Sequence, residues 1–335
     1  MAGLKIRVIY PLRSGRIVLR TDEDWNRDVE AVEVSPDGTT FEFRFETDNP
    51  YFYFKPCIVD GNGLHWAQGT NYLAITDTPG GKDLYPHFFS GSDGSISDVI
   101  TIQSRIQSNA YRVRVYFPPG YDENTLKRYP VLYMHDGNNL FFAEEAFMGR
   151  EWQLDETMDR LDAMNLIDKV IVVGVYPNDR MYEYTKPGYE KYGRFLVEEL
   201  KAQIDDKLRT LADAEHTAVM GSSLGGVVSL YLAWQYPETF GKAGCLSSTF
   251  GYQDDLRERI TNEPKRDVEL YIDTGWPEDN YEAGRSMRDV LVRKGYQFGK
   301  DLLYFGFPGA SHNEESWGTR CHIPFQFFFG KPPAL

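Results

Sequence analysis

Cysteine is scarce: the chain has three in 335 residues, Cys57, Cys245 and Cys321, far apart and odd in number. That excludes a disulfide framework or a Cys-x-x-Cys metal knuckle and predicts free thiols in a reducing compartment. Positive charge is also in deficit. Fifty acidic residues stand against 36 basic ones, a formal net charge of −14, which argues against unaided binding to a phosphate backbone or an anionic membrane surface. Long apolar runs are missing too. The opening stretch MAGLKIRVIYPLRSGRIVLRTDEDW is interrupted by Arg7, Arg13 and Arg16, so neither a signal-peptide core nor a membrane span can be read there. These absences predict a cytoplasmic protein with no nucleic-acid or membrane partner. The six histidines are dispersed without zinc spacing, no Gly-x-Gly-x-x-Gly follows a strand, and no Walker-type Gly-Lys-Ser/Thr occurs. No metal and no organic cofactor are expected.

What is present describes a folded chain: 41% of residues are apolar, 26% are charged, and there is no internal repeat. Its length exceeds what one hydrophobic core usually organises, so a large domain plus a smaller one is expected. Residues 1–95 read as short alternating runs, such as 16–20 and 41–45, separated by turn clusters at Ser35-Pro36-Asp37-Gly38 and Asp60-Gly61-Asn62-Gly63. This predicts a small all-β, sandwich-like domain whose aromatics, Trp25 and Trp66 included, fill its core, with a flat ligand-binding face as the alternative. Glycine and serine concentrate at 90–95, which marks the boundary.

From 96 to 335 the rhythm changes to strand and helix in alternation. Apolar runs at 131–134, 170–175, 218–220 and 302–305 have the look of strands buried on both faces. Helical periodicity covers 152–161, 192–211, 224–236 and 283–294, the last stopped by Gly295. The fold class is therefore α/β, a doubly wound, mostly parallel sheet.

The chemistry concentrates at Gly221-Ser222-Ser223-Leu224-Gly225, between a strand and a helix. That is the context of a nucleophile elbow, in which Ser223 stands above the sheet edge and the Leu224 amide can stabilise an oxyanion. A serine needs a base, and His312, in a loop after the last strand, comes in the right chain order. The acid that orients it belongs after the strand 268–272, in Asp273-Thr274-Gly275-Trp276-Pro277-Glu278-Asp279. Asp279 is favoured, with Glu278 and Asp273 as alternatives. A second oxyanion amide is expected from the loop after 131–134, at Asn138, where Gly137 lets the backbone approach.

Together these blocks resemble the putative-esterase branch of the α/β-hydrolases, which includes feruloyl esterases, enterochelin esterases and S-formylglutathione hydrolases. The resemblance rests on Arg128 to Phe141, on Val170 to Val175 with Arg180-Met181-Tyr182-Glu183-Tyr184-Thr185, on the elbow, and on His312-Asn313-Glu314-Glu315-Ser316-Trp317. It spans residues 110–330 and departs at Asn138, where the family more often has glutamine. It implies a cofactor-free serine esterase acting on a small-molecule or saccharide ester, with feruloyl or acetyl esters of carbohydrate first and siderophore esters second. Arg180, Tyr182, Glu183 and Trp317 are then expected around the substrate, Arg180 having a surface pair with Glu183 as its alternative role. Acyl transfer to an alcohol would use the same residues, and a reading of another class is an inactive carbohydrate-binding protein on a hydrolase scaffold. The aromatic segment 81–95 predicts that the N-terminal domain packs on the catalytic one and borders the active-site mouth.

Overall fold

A computed structural model of the chain describes residues 2–76 and 82–331. Gly81, the first residue of the predicted 81–95 segment, lies outside the described residues, as do 332–335.

The central sheet has nine strands. Its main path runs Ser95–Ile96, Asn109–Phe117, Ile171–Val175, Val131–His135, Thr217–Ser222, Lys242–Leu246, Glu269–Trp276, Leu302–Pro308, with Ile100–Ser104 added beside Asn109–Phe117. Pairing is antiparallel around Asn109–Phe117 and parallel from Ile171–Val175 to the last strand. Every residue of Val131–His135 and of Ile171–Val175 is buried, because helices cover both faces. Alternation divides the strands between two cores. Val131, Tyr133, Val173 and Val219 pack with the Leu224–Gln235 helix on one side. Leu132, Met134, Val172 and Met220 pack with Leu154, Met158, Trp317 and Phe325 on the other. Period-2 side-chain direction turns a continuous apolar run into two half-cores.

The helix 283–294 is realised as Tyr281–Lys294 and ends at Gly295, whose φ of 102° supplies the left-handed cap. The helix anticipated at 192–211 begins four residues earlier. It runs as Gly188–Phe195, a π-helical stretch Leu196–Lys201 and Ala202–Lys207, and it stops where Leu208 turns extended.

Before the central sheet lie two smaller ones. One has the order Glu33–Val34, Thr40–Thr47, Ala2–Ile9, Lys82–Leu84, and the other Asp24–Glu30, Arg16–Thr21, Tyr51–Asp60, Gly63–Trp66, with Tyr72–Ile75 also on Tyr51–Asp60. Ile6, Val8, Phe41 and Phe43 of the first share a core with Ile17, Leu19, Phe52 and Phe54 of the second. The expectation that Trp25 and Trp66 fill this core is corrected. On Tyr51–Asp60 the alternate residues Phe52 and Phe54 turn inward while Tyr51 and Tyr53 are exposed. Trp66 is 36% exposed, with Trp25 6.2 Å from it and Arg20 over its ring.

The N-terminal sheets do pack on the later part of the chain, but their placement corrects the expectation that they border the active-site mouth. Glu123 accepts from the amides of Phe88, Phe89 and Ser90 and from Tyr10 Oη. Asn124 donates to the carbonyls of Ile9 and Pro86, and Thr70 meets Ala163 and Asn165. Residues 120–129 precede the strand Val131–His135, and 163–169 precede Ile171–Val175. The N-terminal sheets therefore rest at the N-terminal edge of the parallel strands. An elbow serine and its partners occupy the opposite, C-terminal edge, so these contacts do not border that mouth.

Candidate active site

Ser223 joins the strand Thr217–Ser222 to the helix Leu224–Gln235 at φ 57°, ψ −121°. A non-glycine residue there costs about 1–3 kcal/mol and persists only when its surroundings enforce it. They do so with hydrogen bonds: Ser223 N–H donates to Leu246 O at 2.9 Å, and Thr249 N–H to Ser223 O at 3.3 Å. Close packing adds to this. A Cβ on Gly221 would lie 2.8 Å from the Gly225 carbonyl carbon, and one on Gly226 1.9 Å from Ser248 Oγ. Leu224 opens the helix, so its amide belongs to the group of N-terminal N–H donors that have no intrahelical acceptor.

The loop after Val131–His135 begins with Asp136 in the left-handed region (φ 54°, ψ 49°) and continues as a 3-10 turn, Gly137–Asn139. A Cβ on Gly137 would fall 2.4 Å from the Gly174 carbonyl carbon, which explains the glycine. Asn138 sits in this turn with its side-chain Nδ2 donating to Asn139 Oδ1 at 2.7 Å. The sequence reading missed what anchors it. Arg180 Nε and Nη2 donate to the two oxygens of Asp136 at 2.8 and 2.9 Å, and the Asp136 amide donates to Tyr184 Oη at 3.1 Å.

His312 Nδ1 lies 2.7 Å from Asp279 Oδ1, and Asp279 also accepts from the Asn280 and Gly275 amides and the Ser247 hydroxyl. Burial pushes the Asp279 carboxyl up, but the His312, Ser247 and backbone hydrogen bonds outweigh it and hold the group at about 2. The alternatives stand elsewhere: Glu278 is exposed, and Asp273 is fully buried in a two-pronged pair with Arg320 at 3.0 Å. No hydrogen bond joins Ser223 Oγ to His312 among the described residues, and such contacts are often loose without substrate. The link between them runs through the scaffold. Ser223 N–H holds Leu246, Ser247 follows it and holds Asp279, and Asp279 holds His312.

The residues expected around the substrate divide. Tyr182, two residues after Arg180 in sequence, is exposed. Glu183 is a correction: it is buried, accepts from Tyr111 Oη at 2.5 Å and from the Asn178 amide at 3.0 Å, and does not pair with Arg180. Helical geometry puts Arg180 and Glu183 on a single turn, and the buried tyrosine takes the carboxylate instead. Trp317 is also buried and presents its ring edge-on to His312 at 5.0 Å, so it buttresses the imidazole. Glu314, which the sequence reading left without a role, is half-buried and accepts from Asn139 Nδ2 at 3.3 Å; burial raises its carboxyl above its ordinary value. His135 lies under the loop with Nδ1 3.1 Å from Tyr192 Oη, and burial, aided by the Arg180 charge, pushes it down to about 3. A His/carboxylate trio able to approach a metal ion, Asp213, Glu215 and His216, is at the other end of the Thr217–Ser222 strand from Ser223. Among the described residues no helix is long and apolar enough to cross a membrane.

A parallel sheet of this order, with a strained serine between strand and helix and a histidine–carboxylate pair beyond later strands, defines an α/β-hydrolase-like fold. The family model described as "Putative esterase" matches residues 104–318; the chain belongs to that family and is an ester hydrolase. It is 25% identical over 286 residues to an endo-1,4-beta-xylanase/feruloyl esterase of Xylanibacter ruminicola, covering 82% of this chain but only 37% of that protein's length. It is 31% identical over 196 residues to the uncharacterized protein YjcH of Bacillus subtilis, covering 54% of this chain and 77% of that one. Among solved structures, a ferulic acid esterase superposes with a TM-score of 0.61 at 19% identity, over 71% of this chain and 98% of that one. The enterobactin esterase FES of Shigella flexneri superposes with a TM-score of 0.55 at 12% identity, over 97% of this chain and 92% of that one.

Proposed function

We propose that the chain is a serine esterase that works through an acyl-enzyme. The observation that carries the reading is the 2.7 Å contact of His312 with Asp279 beyond the edge where Ser223 is held at φ 57°. Donation of Nδ1–H to Asp279 leaves Nε2 with the lone pair a base needs. Nε2 takes the Ser223 proton as Oγ attacks the ester carbonyl. The amides of Leu224 and Asn138 receive the oxyanion, and Nε2 then protonates the departing alcohol. Water repeats the sequence and releases the acid. Asp279, kept ionised by its donors, stabilises the imidazolium at each step.

The substrate class we favour is a feruloyl, acetyl or related ester of a carbohydrate, supported by the xylanase/feruloyl esterase relative whose likeness covers 82% of this chain. A siderophore ester is the second reading, favoured by the likeness to the enterobactin esterase over 97% of the chain, N-terminal sheets included. We read those sheets as a domain of their own, residues 1–95, ahead of a catalytic domain at 96–335. Labelling with a fluorophosphonate followed by peptide mapping should place the adduct on Ser223. Ser223→Ala should lower turnover at least about a thousandfold while the protein stays folded. An adduct on another serine refutes the assignment, and failure to hydrolyse any ester supports an inactive binding protein. A panel of methyl ferulate, acetylated xylan and a cyclic catecholate ester separates the two substrate readings.

A further inference from the structure

Ser247 follows the strand Lys242–Leu246, is fully buried, and holds φ 44°, in the left-handed region. All of its polar atoms are engaged. Its amide donates to Asp273 O at 2.9 Å, and its carbonyl accepts from Asn280 Nδ2 at 2.8 Å. Its hydroxyl accepts from Arg320 Nη2 at 2.6 Å and donates to Asp279 Oδ2. The direction of that last bond is forced, because a guanidinium only donates and a carboxylate only accepts. Arg320 is itself clamped on Asp273 by two 3.0 Å bonds, and its Nη2 stays 3.8 Å from Asp279. The serine thus passes a hydrogen bond to Asp279 while the arginine charge is neutralised by Asp273. A direct Arg320–Asp279 pair would instead draw the carboxylate away from His312.

We propose that Ser247 is a positioning residue of the esterase reaction, whose hydroxyl, oriented by Arg320, fixes Asp279 so that its other oxygen faces His312 Nδ1. The backbone alone does not ask for serine, since glycine adopts positive φ without strain. What serine adds is the hydroxyl. The proposal rests on the reading of Ser223, His312 and Asp279 given above.

Removing the hydroxyl frees Asp279 from its anchor and leaves Arg320 Nη2, 3.8 Å away, to pair with it directly, which weakens its hold on a protonated His312. The other ionisable groups facing this pair are Arg320 and Glu314 from the helix Glu314–Arg320 and Asp273, with Tyr271 bonded to it, from the strand Glu269–Trp276; Glu314 in turn feels Asp136 and Arg180. In Ser247→Gly and Ser247→Ala, kcat should fall about tenfold with KM for a small acetate ester within about twofold. The acid limb of kcat/KM should move to lower pH by about half a unit or more. Ser247→Gly should melt no lower than Ser247→Ala, because glycine relieves the strain. Wild-type kcat and pH profile in Ser247→Gly, with Ser223→Ala inactive, overturns the proposal. So does a loss confined to melting temperature or KM. An active Ser223→Ala instead overturns the reading beneath it, and the proposal with it.

Discussion

Replacing Arg180 by alanine tests whether this residue touches substrate or anchors the loop proposed to carry the Asn138 oxyanion amide. The side chain is 35% exposed, while Asp136, which it grips through two hydrogen bonds, is 10% exposed. Breaking a fully buried ion pair costs about 3–5 kcal/mol, and exposed pairs give about 1 or less. This pair lies between, so about 1–3 kcal/mol is expected, part of it expressed as displacement of the loop. Asp136 is held in a left-handed conformation two residues before Asn138. Releasing its carboxylate lets the turn Gly137–Asn139 shift, and an ångström of misplacement at an oxyanion donor costs about a hundredfold in rate. Arg180→Ala should therefore lower kcat by about ten- to a hundredfold on every ester, small acetate included. Asp136→Asn should do the same, and the double variant should lose no more than either single one. Steady-state kinetics on a nitrophenyl acetate and on methyl ferulate measures both. If Arg180→Ala keeps kcat on the acetate and raises KM for the bulky ester alone, Arg180 is a substrate contact and the loop argument fails.

Asp279→Asn should cut turnover by about 10³–10⁴-fold, whereas Glu278→Gln, altering an exposed side chain, should leave it near wild type; comparable losses in both would move the acid role. Because the Asp279 carboxyl is held below its ordinary value, at about 2, it adds stability above the ordinary range that is lost as pH falls through about 2. Acid unfolding of Asp279→Asn should lack that component, and unchanged acid sensitivity would contradict the depressed value. Glu123→Ala strips the acceptor from three amides and two hydroxyls where the N-terminal sheets dock. It should destabilise by about 2–4 kcal/mol in thermal melts without changing relative rates on small and bulky esters; altered selectivity would mean that the docking edge communicates with the mouth.

Local rules were enough for much of this protein. A continuous Val/Ile run such as 170–175 has one favourable burial, between two layers of helices, and glycines at 221 and 225 leave few turns for the serine between them. Gly295 ended its helix for the same kind of reason, since only its own φ was at issue. Chain order then pointed to His312 and to the segment ending in Asp279. The tertiary structure decided what depends on residues far apart in sequence. Asp279 is proposed over Asp273 and Glu278 because Arg320, 47 residues on from Asp273, pairs with that residue and because His312 reaches Asp279. Arg180 and Glu183, three residues apart, went to different partners because Asp136 and Tyr111 were brought to them by different strands. Aromatic content at 51–54 gave no inward direction to Trp25 or Trp66, because side-chain facing follows strand register. The docking edge of the N-terminal sheets was set by Glu123 and Asn124, whose hydrogen bonds to residues 9, 10, 86 and 88–90 no local pattern announces. Backbone conformation is written over a few neighbouring residues, whereas the pairing of buried charges is settled only when distant segments fold together.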